Sequence, residues 1–320
     1  MHDLIAEDSR YAKARLEGVD IYADLPQGQI VRAHLWSCGM PDAPRLLILP
    51  GFTEFCEKYA HVMKRAVSLG FDCLAIDWPG QGRSGHLGRK AVAVHCDDFS
   101  NHIHALEVVI TEAGWQEAPM HILAHSMGGH LALRAAHYFG PRILSLALSA
   151  PMILPTPKPV TGVLWLARIL KLCGLARSHV PFTSVPELET ATSFVPSNQL
   201  TTDPAGFAWQ THWFKTQPDL RRYGATVGWV YAAYHSALQT LLRPSYLADI
   251  TIPAVLFQPE DEQVVDKAAI ATAAKHLPQG VCVPIAKARH ELLNETPQID
   301  VQMWTELTAF WRAQGLSLAS

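Results

Sequence analysis

The sequence predicts an α/β protein with a doubly wound, mostly parallel sheet and a helical insertion. Short apolar runs alternate with helical stretches through residues 1–150 and again through 251–320. This alternation is typical of a parallel sheet covered by helices on both faces. From about Pro151 to Ile250 no convincing strand occurs, and helical segments rich in Trp, Tyr and Leu follow one another. We therefore predict one core, formed by 1–150 and 251–320, and one mostly helical insertion over 151–250.

The first part of the core contains strand-like segments from its start. Residues 30–36 alternate in polarity, as a half-buried strand does, and 45–49 form a short apolar run that ends at Pro50-Gly51. Such an unbroken run is typical of a strand buried on both faces. The next predicted elements are a helix at about 58–69, a strand at 73–76, a helix at about 99–113, a strand at 121–124, a helix at 127–138 and a strand at 143–148.

After the insertion, the alternation of strands and helices resumes. The predicted elements are a strand at 254–258, a helix near 266–275, a strand near 281–285 and a last helix at about 298–313. In sheets of this kind, the loops that follow the carboxyl ends of the strands carry the binding and catalytic groups. Four of those loops contain candidate functional residues.

Composition excludes several classes of partner. The net charge is −3 with acidic and basic residues interspersed, so no electrostatic footprint for nucleic acid is present. Six scattered cysteines without a CxxC pair indicate free thiols in a reducing compartment, although their even number leaves a disulfide-bonded periplasmic protein open. The N-terminus has no apolar segment of a signal peptide, and no apolar run reaches about 20 residues. We expect a cytoplasmic protein of undetermined oligomeric state.

The segment Ala124-His125-Ser126-Met127-Gly128 joins a predicted strand to a predicted helix. It matches the G-x-S-x-G nucleophile elbow with alanine in place of the first glycine. The small residues let strand and helix approach closely around a strained serine, and the helix dipole favours negative charge beside it. The segment predicts Ser126 as a nucleophile, whereas a plain packing turn with a coincidental serine is the alternative interpretation.

An oxyanion hole needs two backbone N–H groups that point to one place. One comes from the residue after the nucleophile, here Met127, and the other from the loop after an earlier strand. The turn Pro50-Gly51-Phe52 follows the strand predicted at 45–49, which makes Phe52 the candidate for the second donor.

A serine hydroxyl needs a base within hydrogen-bond reach. In this arrangement the chain order is Ser, then Asp or Glu, then His. His290 lies just after the strand predicted at 281–285, and no other histidine after Ser126 has a comparable position. The acid that orients it follows the strand at 254–258, where several carboxylates are available and side-chain length does not choose among them. They are Glu260, Asp261, Glu262 and Asp266.

Together these residues resemble the lysophospholipase and monoacylglycerol-lipase branch of the α/β-hydrolase family, with bacterial lysophospholipases the most similar. The resemblance covers most of the chain. It rests on Pro50-Gly51-Phe52 with Lys58-Tyr59, Asp77-Trp78-Pro79-Gly80-Gln81-Gly82-Arg83-Ser84, Ala124-His125-Ser126-Met127-Gly128-Gly129, Asn198-Gln199-Leu200-Thr201 and Ala288-Arg289-His290-Glu291. It implies an α/β-hydrolase fold, an acyl-enzyme on Ser126, no cofactor or metal, and a lipid ester as substrate, above all a lysophospholipid or a monoacylglycerol.

The resemblance also implies which acid is used. The family pattern G-x-x-D-x-x-V after the strand at 254–258 places Pro259 on the glycine and Glu262 on the catalytic aspartate, with Asp261 as the second choice. Three departures from the family are Pro50 in place of a frequent histidine, Ala124 in place of glycine and Glu262 in place of aspartate. None removes a required chemical group.

In this family the insertion caps the active site. Its aromatic residues predict an acyl-chain channel, since ligand pockets are mostly apolar; packing of the cap onto the core explains any one of them equally well. The candidates for substrate contact are Trp165, Trp213 and Trp229, within a wider group of Leu166, Trp209, Phe214 and Tyr231. The amphipathic helix at about 163–172 is in addition a candidate for peripheral contact with a membrane surface.

Other functions are compatible with parts of the sequence. A thioesterase, an acyltransferase or a small-ester carboxylesterase has the same triad, and a non-catalytic binding protein has the same scaffold. Gly80–Gly85 satisfies the G-x-G-x-x-G pattern of dinucleotide-binding proteins, but a polar loop follows where that motif needs a helix. His102 and His104 form an H-x-H pair, yet on a helix they point to different faces, so a metal site is not predicted.

Overall fold

A computed structural model of the chain describes residues 2–12, 14–156 and 159–319. Its centre is one eight-stranded sheet with the order β1-β2-β4-β3-β5-β6-β7-β8. The strands are β1 (Val19–Leu25), β2 (Gln29–Trp36), β3 (Arg45–Leu49), β4 (Asp72–Asp77), β5 (Met120–His125), β6 (Ile143–Ser149), β7 (Ala254–Pro259) and β8 (Gly280–Ile285). Strand β2 runs antiparallel to β1 and β4, and the other neighbouring pairs are parallel. The predicted doubly wound, mostly parallel sheet is confirmed.

Helices cover both faces of the sheet. In chain order they are α1 (His2–Glu7), α2 (Ala60–Ser68), α3 (Ser100–Glu112), α4 (Met127–Phe139), α5 (Val160–Leu170), α6 (Leu188–Ala191), α7 (Pro204–Thr216), α8 (Val227–Gln239), α9 (Pro244–Ala248), α10 (Lys267–His276) and α11 (Pro297–Ala313). Apolar side chains of α2 and α11 pack on one face of the sheet, and those of α3, α4 and α10 pack on the other. The core therefore has three layers.

Strand β3 shows how the apolar runs of the sequence build this core. Leu46 and Ile48 pack with the α2 and α11 layer, whereas Leu47 and Leu49 pack on the opposite face. All four are fully buried, because successive side chains of a strand point to opposite faces and helices cover both.

The segment predicted as a half-buried strand at 30–36 differs from the expectation. In β2 the polar Arg32 and His34 are buried as well as the apolar residues. Arg32 donates to Asp77 at 3.0 Å and to Asp20 at 2.7 Å, and Asp20 also contacts His34 Nδ1 at 2.6 Å. Burial of these polar side chains is tolerated because each has a carboxylate partner. The alternation in polarity was therefore no guide to exposure.

Between β6 and β7 the described chain forms helices α5 to α9, in agreement with a mostly helical insertion. Only isolated bridges add strand-like pairing there, for example between His179 and Thr226. The exact limits of the cap, at 151 and 250, stay a prediction. Among the described helices, none combines the length and apolarity that crossing a bilayer requires.

Candidate active site

Ser126 occupies a sharp turn between β5, which ends at His125, and α4, which begins at Met127. Its backbone has φ 52° and ψ −118°, a combination that non-glycine residues adopt only under strain and mostly at functional sites. A Cβ atom on Gly128 would lie 2.0 Å from the carbonyl oxygen of Leu49, so only glycine allows this approach of helix and strand. The turn has the geometry of a nucleophile elbow.

His290 lies beside this serine. Its Nε2 atom is 2.9 Å from Ser126 Oγ, a hydrogen-bond distance, although 164 residues separate the two in sequence. Both residues are buried. The histidine follows β8 and the serine follows β5, so two loops at the carboxyl edge of the sheet bring them together.

Glu262 completes a hydrogen-bonded chain of three groups. Its Oε2 atom lies 2.8 Å from His290 Nδ1, and its side chain is fully buried. Its Oε1 atom accepts hydrogen bonds from the N–H groups of Val264 at 2.7 Å and Val265 at 3.1 Å. The turn after β7 therefore fixes the carboxylate, and the carboxylate fixes the imidazole ring.

The environment of Glu262 keeps it ionised. Burial raises the pKa of its carboxyl group, but the hydrogen bond from His290 and those from the two valine amides lower it further, to below the ordinary value of 4.5. A charged carboxylate on Nδ1 holds the proton on that atom and leaves Nε2 as an acceptor toward Ser126.

The other three candidate carboxylates have different partners. Glu260 accepts a hydrogen bond from the N–H of Lys287 at 2.8 Å. Asp261 is half exposed and pairs with Arg289 at 3.3 Å. Asp266 caps the N-terminus of α10, where aspartate is favoured because its side chain accepts from free N–H groups. Glu262, by contrast, contacts His290 directly.

The predicted oxyanion turn is braced by a residue that the sequence did not single out for this purpose. Buried Gln81 accepts from the N–H of Thr53 at 3.0 Å and donates to the carbonyl of Gly51 at 3.1 Å. Phe52 lies between Gly51 and Thr53, and its N–H donates to no described group. Met127 lies in the first turn of α4, where N–H groups lack an intrahelical acceptor. Phe52 and Met127 therefore stay the predicted oxyanion donors.

The insertion holds the histidine loop in place. The carbonyl of Leu200 accepts from the N–H of Glu291 at 2.8 Å, and Thr201 Oγ1 donates to the carbonyl of Asn294 at 2.8 Å. Asn198 Oδ1 accepts from the N–H groups of Leu200 and Thr201 at 2.9 and 3.0 Å, which shapes the turn. The Asn198–Thr201 motif, noted only as part of a resemblance, therefore anchors the loop that carries His290.

Comparison with known families gives a match that spans most of the chain. Residues 41–297 match the hydrolase family described as "Serine aminopeptidase, S33". The chain belongs to this family. The match spans both core segments and the insertion, so the three loops that meet at Ser126 all lie within it.

Two curated relatives of this hydrolase are lysophospholipases by name. Lysophospholipase L2 of Escherichia coli K12 is 29% identical over 268 residues, which cover 78% of this chain and 75% of the relative. The Haemophilus influenzae protein named "Probable lysophospholipase L2" is 23% identical, over 84% of both chains. These relatives confirm the predicted resemblance to the lysophospholipase and monoacylglycerol-lipase branch, and the predicted enzyme class, a carboxylic ester hydrolase.

A solved structure supports the fold. A soluble variant of monoglyceride lipase from Saccharomyces cerevisiae superposes with a TM-score of 0.69 at 16% identity, and the alignment covers 93% of this chain and 97% of that one. The α/β-hydrolase fold predicted for the chain is thereby confirmed.

A cavity of about 820 Å³ borders the predicted oxyanion turn of this hydrolase. It meets that turn at Phe52 and Thr53, and its wall is otherwise built by the insertion, including Gln210 of α7 and Arg221. Apolar side chains from the insertion, such as Phe214, share this wall with several hydroxyl groups. A cavity of this volume suits a small ligand with one apolar part.

The three tryptophans predicted to contact substrate lie elsewhere. Trp165 is 63% exposed on the outer surface of α5, and Trp213 packs against Trp209 with ring centroids 5.3 Å apart. Trp229 packs against Phe52 at 4.4 Å, so it supports a cavity-lining residue without lining the cavity itself. Helical periodicity marked these residues as apolar, but it does not tell which face of a cap helix meets the cavity.

The two competing motifs have structural positions of their own. The Gly80–Gly85 loop contains a single 3-10 turn, Gly82–Ser84, and the next helix begins at Ser100. His102 is buried and His104 is exposed on α3, as their spacing predicts. Within the described ranges, no group of three His, Cys, Asp or Glu side chains is arranged to hold a metal ion.

Proposed function

We propose that this protein hydrolyses the carboxylic ester of single-chain lipids, with lysophospholipids preferred over monoacylglycerols, through an acyl-enzyme on Ser126. The observation that carries the proposal is the buried chain from Glu262 to His290 at 2.8 Å and from His290 to Ser126 at 2.9 Å. A base on the hydroxyl and an acid on the base are the groups that activate a serine.

The reaction follows from the positions of these groups. Ser126 Oγ attacks the ester carbonyl while His290 Nε2 takes its proton, and Glu262 stabilises the resulting imidazolium. The N–H groups of Phe52 and Met127 donate to the oxyanion of the tetrahedral intermediate. His290 then protonates the leaving alcohol, which departs and leaves the acyl group on Ser126. Water, deprotonated by His290, releases the fatty acid in the same way.

The preference for a lysophospholipid rests on the relatives and on one cation. Both curated relatives carry the name lysophospholipase L2, and Arg221 lies in the wall of the cavity beside Phe52. One of its nitrogens donates to the carbonyl of Pro186 at 2.5 Å, which fixes the side chain. Guanidinium groups recognise phosphate oxygens through charge-assisted hydrogen bonds, and a monoacylglycerol has no such group.

A substrate panel tests this proposal. We expect release of fatty acid from lysophosphatidylcholine and monoacylglycerol, and no cleavage of an aminoacyl p-nitroanilide, the amide that the family description would suggest. In Arg221→Gln, kcat/KM for lysophosphatidylcholine should fall about tenfold, the effect of one lost charge-assisted hydrogen bond, while the monoacylglycerol value stays unchanged.

Arg142→Gln is the matched control, because Arg142 also donates to a backbone carbonyl but lies in the turn directly before β6. An equal loss for both lipids in Arg221→Gln would contradict recognition of the phosphate. Cleavage of the anilide alone would contradict the proposed ester chemistry.

We further propose that the outer face of the cap contacts a phospholipid surface. Four apolar side chains of the helical segment 160–175 are more than half exposed, namely Trp165, Leu166, Ile169 and Leu172. Arg168 and Lys171 lie on the same helical segment. Exposed apolar side chains combined with basic residues are typical of interfacial helices.

Sedimentation with phosphatidylglycerol-containing vesicles tests this contact. Leu172→Asp is expected to lower the bound fraction severalfold, since it places a charge where an apolar side chain would enter the lipid. Val301→Asp, an exposed apolar position on α11, should bind as the wild type does. Equal binding of all three proteins would exclude the cap face as the contact.

A further inference from the structure

A buried group of three charges lies beneath the proposed active site. Lys58 Nζ is 2.5 Å from Glu54 Oε1 and 2.9 Å from Glu291 Oε1. All three side chains are at most 5% exposed. We call this group the Lys58 triad. Charged residues are rarely buried unless they are paired, so its position beside the reacting groups requires an explanation.

One arm of the Lys58 triad holds the oxyanion turn. Glu54 Oε2 accepts hydrogen bonds from the N–H of Gly51 and from the hydroxyl of Tyr59, the latter at 2.6 Å. Gly51 precedes Phe52, whose N–H is one of the two proposed oxyanion donors. The direction of that N–H depends on the orientation of the turn, and Glu54 fixes the turn from below.

The other arm holds the loop of the catalytic base. Glu291 directly follows His290. The amide nitrogen of Gln210, assigned from its partners, is 2.9 Å from one Glu291 carboxylate oxygen and 3.0 Å from the other. Asn294 Nδ2 donates to the second oxygen at 3.2 Å. The carboxylate is thereby fixed between Lys58, the cap helix α7 and its own loop.

Lys58 and Glu54 of the Lys58 triad stabilise each other's charged forms. Burial lowers the pKa of Lys58, but the carboxylates of Glu291 and Glu54 raise it further, so that it lies above its ordinary value. Burial raises the pKa of Glu54, and the Lys58 ammonium lowers it further, to below its ordinary value. Both directions favour the charged pair. Without the ammonium, an uncompensated carboxylate would lie beside the place where the oxyanion forms, and like charges repel.

We infer that Lys58 is a positioning residue for the reaction, which fixes the oxyanion turn and the His290 loop at one separation and neutralises Glu54 beneath the oxyanion. This inference rests on the proposed function, since it assumes the roles of Phe52 and His290 given above. Lys58 itself touches neither Ser126 nor His290 in the described structure. We therefore expect the loss of Lys58 to act mainly on the transition state, where donor direction and local charge matter most.

Lys58→Met tests the inference, because methionine matches the volume and removes the ammonium. We expect kcat to fall about 10²-fold, because a small misplacement of the reacting groups lowers the rate by about this factor. KM should change less than about threefold. The second-order rate of labelling by a fluorophosphonate should fall in parallel, because that reaction uses the same oxyanion donors. The final extent of labelling should remain one probe per chain.

Arg65→Met is the matched control. Arg65 also pairs with a buried carboxylate, that of Asp300 at 2.8 Å, but it joins α2 to α11 away from the site. The variant Arg65→Met should lower the midpoint of thermal unfolding and leave kcat unchanged. If kcat per labelled active site is the same in Lys58→Met as in Arg65→Met, the role of Lys58 is purely structural and the inference is wrong.

A second variant serves if Lys58→Met does not fold. Tyr59→Phe removes one of the two donors to Glu54 Oε2, and we expect kcat to fall about tenfold without a change in KM. An unchanged kcat in this variant would also overturn the inference. Absence of labelling on Ser126 in the wild type would instead refute the proposed function, so the two failures are distinguishable.

Discussion

Replacement of Ser126 by alanine is expected to reduce ester turnover on the order of 10⁶-fold, the loss seen when a nucleophile of this kind is removed. Alanine retains the backbone of the turn and removes only the hydroxyl. The variant loses the 2.9 Å hydrogen bond to His290. This loss should lower the free energy of unfolding by about 1 kcal/mol. Fatty-acid release from lysophosphatidylcholine measures the first effect, and thermal unfolding measures the second.

The chain offers a close control for this variant. Ser145 is also fully buried and also contacts a histidine, with its Oγ 2.8 Å from His121 Nδ1. That pair lies within β5 and β6, and neither residue is part of the loops that meet at Ser126. Ser145→Ala should lose a similar amount of stability and keep full turnover. Comparable turnover in both alanine variants would show that Ser126 is an ordinary buried serine.

Replacement of Glu262 by glutamine is expected to lower kcat about 10⁴-fold, because the amide no longer holds the proton on His290 Nδ1 and the wrong tautomer results. The neighbouring Asp261→Asn is the matched control. Its carboxylate is half exposed and pairs with Arg289, and exposed pairs of this kind contribute little. Asp261→Asn should therefore change kcat less than about twofold. The reverse order of effects would move the acid to Asp261.

Glu262→Gln is also expected to differ from the wild type in how its stability depends on pH. The pKa of Glu262 in the folded protein lies below the ordinary value of 4.5, so its carboxylate stabilises the fold above that pH. This stabilisation is lost as the pH falls through the folded pKa. Denaturant midpoints measured between pH 7 and about 3 should therefore converge for the wild type and Glu262→Gln on acidification.

Some residues of the site could be predicted because a sequence pattern marks them, and others could not. Ser126 and His290 were predictable because a local motif and the order of loops place them without knowledge of tertiary contacts. Reasoning from the residues alone did not decide which of the four carboxylates after β7 is the acid. Only the family resemblance indicated Glu262. The structure adds the reason for that choice, which is the contact between its carboxylate and His290.

The supporting residues carried no comparable signal. Lys58 and Glu291 belong to residue types that are usually exposed, and their burial depends on partners far away in sequence. Gln81 lies in a glycine-rich loop that matches a dinucleotide-binding pattern, yet its side chain braces the predicted oxyanion turn. In the cap, Trp165 illustrates that apolar periodicity identifies a helix face without identifying what covers it.

Covalent labelling tests the central claim most directly. The protein is treated with a fluorophosphonate, digested, and analysed by mass spectrometry for the modified peptide. We predict one adduct per chain, located on Ser126, and its loss when lysophosphatidylcholine competes or when Ser126 is alanine. An adduct on another residue, or undiminished labelling of Ser126→Ala, would contradict the claim that this serine is the nucleophile.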